Sequence, residues 1–124
     1  MKTQNYHWNV VGENFKALHV LFEEQYNELA AAVDEIAERM RALGTRVEGT
    51  FENFPKLSKI KSGNKNFSKN EMLQDLISGQ EIIVEDLKAA IGVAQEEDDE
   101  GTADLFIGRI KAHEKAAWML GASQ

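Results

Sequence analysis

The feature that most constrains this chain is one uninterrupted amphipathic run from Glu13 to Leu43. Phe15, Leu18, Phe22, Leu29, Val33, Ile36, Met40 and Leu43 recur at three-, four- and seven-residue spacing, the period of one helix face. No proline or glycine breaks it. Gly12 stands just before and Gly44 just after, a natural start and a natural C-terminal stop. A helix of about 31 residues is long for a small domain and needs neighbours of similar length, so the run predicts a bundle.

The remaining chain supplies those neighbours. Ser68-Lys69-Asn70-Glu71 is a capping box that opens a second long helix carrying Met72, Leu76, Ile77, Ile83, Leu87, Ile91 and Ala94. Acids at a helix C-terminus oppose the helix dipole, so this helix is expected to stop inside the run Gln95 to Gly101. A third long helix is expected from near Thr102, bearing Leu105, Phe106, Ile110, His113, Ala117 and Leu120, and closed by Gly121. Gly44 to Phe67 is a connection punctuated by Gly49, Pro55, Gly63 and Asn64. Within it Phe51, Phe54, Leu57 and Ile60 recur every third residue. That spacing predicts a short helix laying apolar side chains on a neighbour, with Pro55 tolerated in its first turn. Met1 to about Asn9 is a stub. At 124 residues the chain is one domain, 1–124, and the expected fold is an all-α four-helix bundle with a brief first member and a short extra helix in the middle connection.

Several function classes are excluded by composition. The formal net charge of −7 argues against a basic nucleic-acid domain. The absence of cysteine removes disulfides, thiolate metal sites and cysteine nucleophiles. The N-terminus does not read as a signal peptide and no stretch is apolar enough to span a membrane, so a cytoplasmic location is expected.

Three histidines remain as carriers of chemistry. His7 lies before the turn at Gly12 and His19 after it, so a helix–turn–helix can bring the two imidazoles together. Asp34 and Glu38, four residues apart on the long helix, share a face. Two imidazoles and two carboxylates suit a divalent first-row metal such as iron. Yet His19 and Asp34 are fifteen residues apart on one unbroken helix, about 22 Å at 1.5 Å per residue. One ion cannot touch both within a single chain. Either the residues are unrelated, or two chains build the site about a two-fold axis. Residue by residue the plainer alternatives stand: His19 as a packed or surface histidine, Asp34 and Glu38 as a solvated face beside Arg39 and Arg41, and His7 with Trp8 as an end-of-helix aromatic cluster. His113 reads as structural. His113-Glu114 begins a zinc-protease motif, but position 117 is Ala. No Glu stands three residues before any His, which excludes the Glu-x-x-His di-iron pattern within one bundle.

Tyr6-His7-Trp8-Asn9-Val10-Val11-Gly12, then Phe15, Leu18-His19 and Phe22-Glu23, then Asp34-Glu35-Ile36-Ala37-Glu38-Arg39, closely resembles the Dps family, the ferritin-like mini-ferritins of starved bacterial cells. The family pattern is His-Trp, a second His twelve positions on, an Asp fifteen further and a Glu four after that; positions 7, 19, 34 and 38 match every spacing. A weaker likeness runs through the capping box at Ser68 to His113-Glu114-Lys115-Ala116-Ala117-Trp118-Met119-Leu120. The resemblance implies a ferritin-like bundle assembled as a homo-oligomer, a hollow dodecamer built from dimers. It implies a ferroxidase that oxidises Fe(II) to Fe(III), preferentially with hydrogen peroxide, and stores the ferric iron. Carried over by position, His7 and His19 of one subunit and Asp34 and Glu38 of its partner would be the iron ligands. Trp8 would sit beside the metal as an electron donor or radical trap, or serve only as a packing aromatic.

The acidic run Glu96 to Glu100, with Asp104 after it, reads as a solvated turn. In an iron-storing shell the same acids would ring a pore and guide Fe(II) inward, with Asp98, Asp99 and Asp104 as the candidates. Two departures from the family pattern stand out. The family's first helix extends well upstream of His-Trp, whereas six residues precede His7 here, so the first helix reads as truncated, leaving apolar faces of the others uncovered. Members that condense DNA use a flexible basic tail, and none is expected here. Lys56, Lys59, Lys61, Lys65 and Lys69 in the connection are the one feature favouring the alternative, a nucleoid-binding protein that coats DNA. Direct DNA binding is therefore not expected.

Overall fold

A computed structural model describes all 124 residues, Met1 to Gln124. The chain forms α1 (Lys2–Asn9), α2 (Phe15–Ala42), α3 (Phe54–Leu57), α4 (Lys69–Glu96) and α5 (Glu100–Ala122), with no strand. The long helices start and stop where local chemistry places their ends. Gly12 and Asn14 take left-handed backbone, at φ 104° and 61°, and turn the chain from α1 into α2. At the far end of α2, Gly44 is left-handed (φ 97°), and the Thr45 N–H returns to the Met40 carbonyl at 3.0 Å, the closing bond of a Schellman motif. The capping box before α4 is complete. The Ser68 hydroxyl accepts from the Glu71 N–H and the Glu71 carboxylate accepts from the Ser68 N–H at 2.7 Å. That backbone hydrogen bond from Ser68 holds the Glu71 carboxyl below its ordinary range.

The acidic run divides between two helices. α4 ends at Glu96, as the dipole argument requires, and Asp98 takes left-handed backbone (φ 54°). Asp99 then caps α5, which begins at Glu100 rather than at Thr102. This cap was not evident from acids alone. It places Glu100 in a first turn, where its charge favours the helix.

The core sits at one end of the bundle. Tyr6 and Val10 of α1 and its exit pack on Leu18, Leu21 and Phe22 of α2, Met72, Leu73 and Leu76 of α4, and Leu120 of α5. Each such side chain contributes about 1.5–3 kcal/mol on burial. α1 is tied down further: the Tyr6 hydroxyl donates to Asp75 at 2.5 Å and accepts from the Asn64 N–H, while Lys2 pairs with the same Asp75 at 2.9 Å. Burial, and next the Asp75 carboxylate, push the Tyr6 phenol up to about 12. α1 is eight residues long and α2 and α4 are twenty-eight each, so α1 covers only this end. Beyond Gln25, Ala32 is the one fully buried residue of α2.

The short helix of the connection departs from its expected packing. It exists, with Pro55 in its first turn, but it is one turn long and buries no residue. Phe51 is 85% exposed and Leu57 68%. Only Ile60, beyond the turn, reaches inward, lying beside the position of Gly79 on α4. One turn offers too little helix to hold a three-residue stripe against a neighbour, and the chain is extended again by Ser58. No helix is long and apolar enough to cross a membrane.

Candidate metal centre

The α1–turn–α2 hairpin brings His7 and His19 face to face. Their rings stack with centroids 3.7 Å apart and planes 20° from parallel. Each Nδ1 lies on the other residue's backbone: His7 Nδ1 is 2.7 Å from the His19 carbonyl oxygen, and His19 Nδ1 is 2.8 Å from that of His7. A carbonyl oxygen can only accept, so each Nδ1 carries its proton and donates. In the neutral form of each ring the single N–H proton therefore sits on Nδ1 and the Nε2 lone pair is free, and neither Nε2 has a hydrogen-bond partner in the protein. Such a carbonyl hydrogen bond on the far nitrogen orients an imidazole for metal ligation. Phe15 flanks His19 at 5.2 Å, and Tyr26 stands edge-on to His7 at 5.3 Å. Tyr26 was missed in the sequence. Its signal is the seven-residue step from His19, which places both on one face of α2.

Asp34 and Glu38 lie further along α2, both exposed and without a hydrogen bond or ion pair to another side chain. α2 is continuous between His19 and Asp34, so the rise of about 22 Å stands. Within one chain no three His, Asp or Glu side chains gather closely enough to hold a metal ion. The fold therefore joins the imidazoles to each other and the carboxylates to one face, but keeps the two pairs apart. Trp8 follows His7, is 62% exposed, and stacks on neither imidazole.

His113 occupies the opposite kind of environment. It is 5% exposed and has both ring nitrogens engaged. Nδ1 donates to Gln80 Oε1 at 2.6 Å, and Nε2 accepts from Arg109 Nη2 at 3.1 Å. Arg109 in turn grips Glu28 of α2 with both terminal nitrogens. Burial, and then the neighbouring Arg109 charge, push the His113 imidazole down to about 4. The Arg109 hydrogen bond holds Glu28 below its ordinary range. This network is structural, tying α2, α4 and α5 together. It borders a cleft of about 320 Å³ between α2 and α5, lined by Leu21, Gln25, Leu29 and Met119, in which Gln25 Oε1 has no partner.

The acidic turn is not uniform. Asp98 and Asp104 are exposed and unpaired. Asp99 is half-buried: Oδ1 accepts from the Thr102 N–H and from Arg39 Nη2, and Oδ2 from the Thr102 hydroxyl. The Thr102 bonds first, and then Arg39, hold its carboxyl below the usual range. Of the middle lysines, Lys59 is paired with Asp86 at 2.6 Å.

Comparison with known proteins agrees with this architecture. The chain matches the ferritin-like domain family over residues 1–123. It is 38% identical to DNA protection during starvation protein 2 of Bacillus anthracis over 121 residues, covering 98% of this chain and 83% of that one. Among solved structures it superposes on Dps from Staphylococcus aureus with a TM-score of 0.95 at 38% identity, covering 98% of this chain and 82% of the other. It superposes on Dps from Vibrio cholerae, described as a member of a broad superfamily of ferritin-like diiron-carboxylate proteins, with a TM-score of 0.93 at 36% identity, covering 98% and 77%.

Proposed function

The chain belongs to the Dps family of ferritin-like proteins, and from that premise we propose that it is a ferroxidase and iron-storage protein whose oxidation site is shared between two subunits. The observation that carries the reading is the stacked His7–His19 pair with both Nε2 lone pairs free, on a helix that holds Asp34 and Glu38 too far away to join them. An antiparallel pairing of α2 with α2 of a second copy sets His7 and His19 of one chain opposite Asp34 and Glu38 of the other, and makes two equivalent sites per dimer. Imidazoles and carboxylates hold Fe(II), here the substrate, without closing its coordination. Each hydrogen peroxide takes one electron from each of two Fe(II) ions and, with two protons from solvent, its O–O bond breaks to give two waters; the ferric product is stored in a hollow homo-oligomer, a dodecamer built from six such dimers.

The chain's own groups have defined tasks. The two backbone carbonyls keep the Nδ1 protons in place, so each ring offers its Nε2 without a tautomer change. Trp8, which follows His7 in the chain, is a candidate one-electron donor. Asp98 and Asp104 present free carboxylates at the α4–α5 turn that draw cations toward the shell, while Asp99 is engaged by Thr102 and Arg39. Removing Fe(II) and peroxide together suppresses hydroxyl-radical formation. That is a chemical route to the DNA protection for which the Bacillus anthracis relative is named, and it needs no contact with DNA. A cytoplasmic location suits this role.

The test uses anaerobic Fe(II) loading followed by hydrogen peroxide, with ferric absorbance and peroxide consumption recorded together. His19→Ala and Asp34→Ala should each oxidise Fe(II) about a hundredfold more slowly, near 2.7 kcal/mol of barrier. Mixed dimers of the two variants should recover part of the rate, because one of their two sites is intact. Confirmed mixed dimers that remain inactive would count against a shared site.

A further inference from the structure

The half of α2 that carries Asp34 and Glu38 is thinly held. Between residues 30 and 42 only Ala32 is fully buried, and only Arg39 reaches a polar group on another element. Arg39 Nη2 donates to Asp99 Oδ1 at 2.9 Å and its Nε donates to the Thr102 hydroxyl at 3.0 Å. That hydroxyl in turn donates to Asp99 Oδ2 at 2.5 Å. The three groups close a ring that joins α2 to the first turn of α5. Gly101 makes room for it: a Cβ there would lie 2.9 Å from Arg39 Nη2. A planar guanidinium with two fixed donors locates a helix in a way a lone ammonium cannot. Arg39 follows Glu38 directly and Asp34 is five residues back, so the lock acts on the segment that presents both carboxylates.

We propose that Arg39, Asp99 and Thr102 form a positioning lock that holds the carboxylate-bearing half of α2 in register for the partner subunit's imidazoles. The inference rests on the proposed role of Asp34 and Glu38 as metal ligands. It assigns Asp99 a task apart from Asp98 and Asp104, since an aspartate committed to a cap and an arginine is not free to guide ions. The three residues touch no metal and act through the orientation of α2.

The test measures Co(II) uptake by the full-length protein, followed by the visible absorption of the bound ion, so that no turnover is needed. Arg39→Met should weaken uptake about tenfold, the scale of losing an outer support of a metal site, and alter the Co(II) band. Thr102→Val keeps the volume of the buried side chain and removes the hydroxyl, and should weaken uptake in the same direction; Thr102→Ser keeps the hydroxyl and should restore it. Lys88→Gln, which breaks the exposed Glu85–Lys88 pair, should change nothing. Equal affinity and an identical band in folded Arg39→Met and Thr102→Val proteins would overturn the lock while leaving the shared site standing. Wild-type protein that takes up no Co(II) would overturn the metal reading and the lock with it.

Discussion

His7 and His19 at one end of the bundle, and His113 near its middle, place the same side chain in opposite hydrogen-bonding environments. Each of the first two spends Nδ1 on a backbone carbonyl and keeps Nε2 free. His113 spends both nitrogens, one on Gln80 and one on Arg109, and burial keeps it neutral. The two environments are thus distinguished less by burial, since His7 is nearly as buried as His113, than by which nitrogen is left without a partner. The two places also differ in what they hold up. The His7–His19 pair joins consecutive helices that are covalently connected through a short turn. The His113 network ties the α4–α5 pair to α2 through Glu28 and Arg109, which are 81 residues apart.

The comparison is broken most severely from the Glu28 side. Glu28→Ala leaves Arg109 without its carboxylate and, because the Glu28 side chain is 50% exposed, should cost about 3 kcal/mol of folding stability, the low end for a buried charge left unpaired, read from the shift of the urea midpoint. A shift below about 1 kcal/mol would mean that the network is not a structural tie.

Acid should act on the same region. The His113 imidazole is held at about 4 in the folded chain against an ordinary value of 6.5, so between these values the unfolded chain binds more protons. Stability should therefore be fully present above about pH 6.5 and fall by about 3 kcal/mol as the pH drops to about 4. His113→Gln should flatten that slope, whatever its cost at neutral pH; an unchanged slope would assign the acid sensitivity elsewhere.

The smallest effect on folding is expected at the other pair. His7→Ala removes one side-chain donor and one face of the ring stack, and should cost about 1–2 kcal/mol while abolishing Co(II) uptake. A larger loss of stability with uptake retained would reverse the roles given to the two histidine environments.

Much of the fold was legible because helices announce themselves locally. The Phe15-to-Leu43 stripe, the glycines on either side of α2 and the Ser68–Glu71 capping box all act within a few residues, and α2 and α4 lie where those signals put them. The connection was legible only in part. Phe51, Phe54 and Leu57 carried helical spacing, but spacing says nothing about whether one turn finds a surface to pack on. In the candidate site, the spacings of His7, His19, Asp34 and Glu38 and the rise per residue already imply that a metal site uniting them needs two chains. The edge-on Tyr26 and the protonation of each imidazole were not legible, because both depend on how α1 folds back across Gly12.

Sequence alone determined α2 and α4, where they begin and end, and the separation of the histidines from the carboxylates. Each follows from the 3.6-residue turn and a fixed rise, which are properties of the local backbone. Tertiary structure alone decided that Asp99 is committed while Asp98 and Asp104 are free, and that Glu28, Arg109, Gln80 and His113 form one network. Glu28 and Arg109 are 81 residues apart, and Arg39 and Asp99 are 60 apart. Whether such charges meet is settled only when α2 docks on α5, because the Coulomb attraction that joins them acts over ångströms of space and is indifferent to distance along the chain.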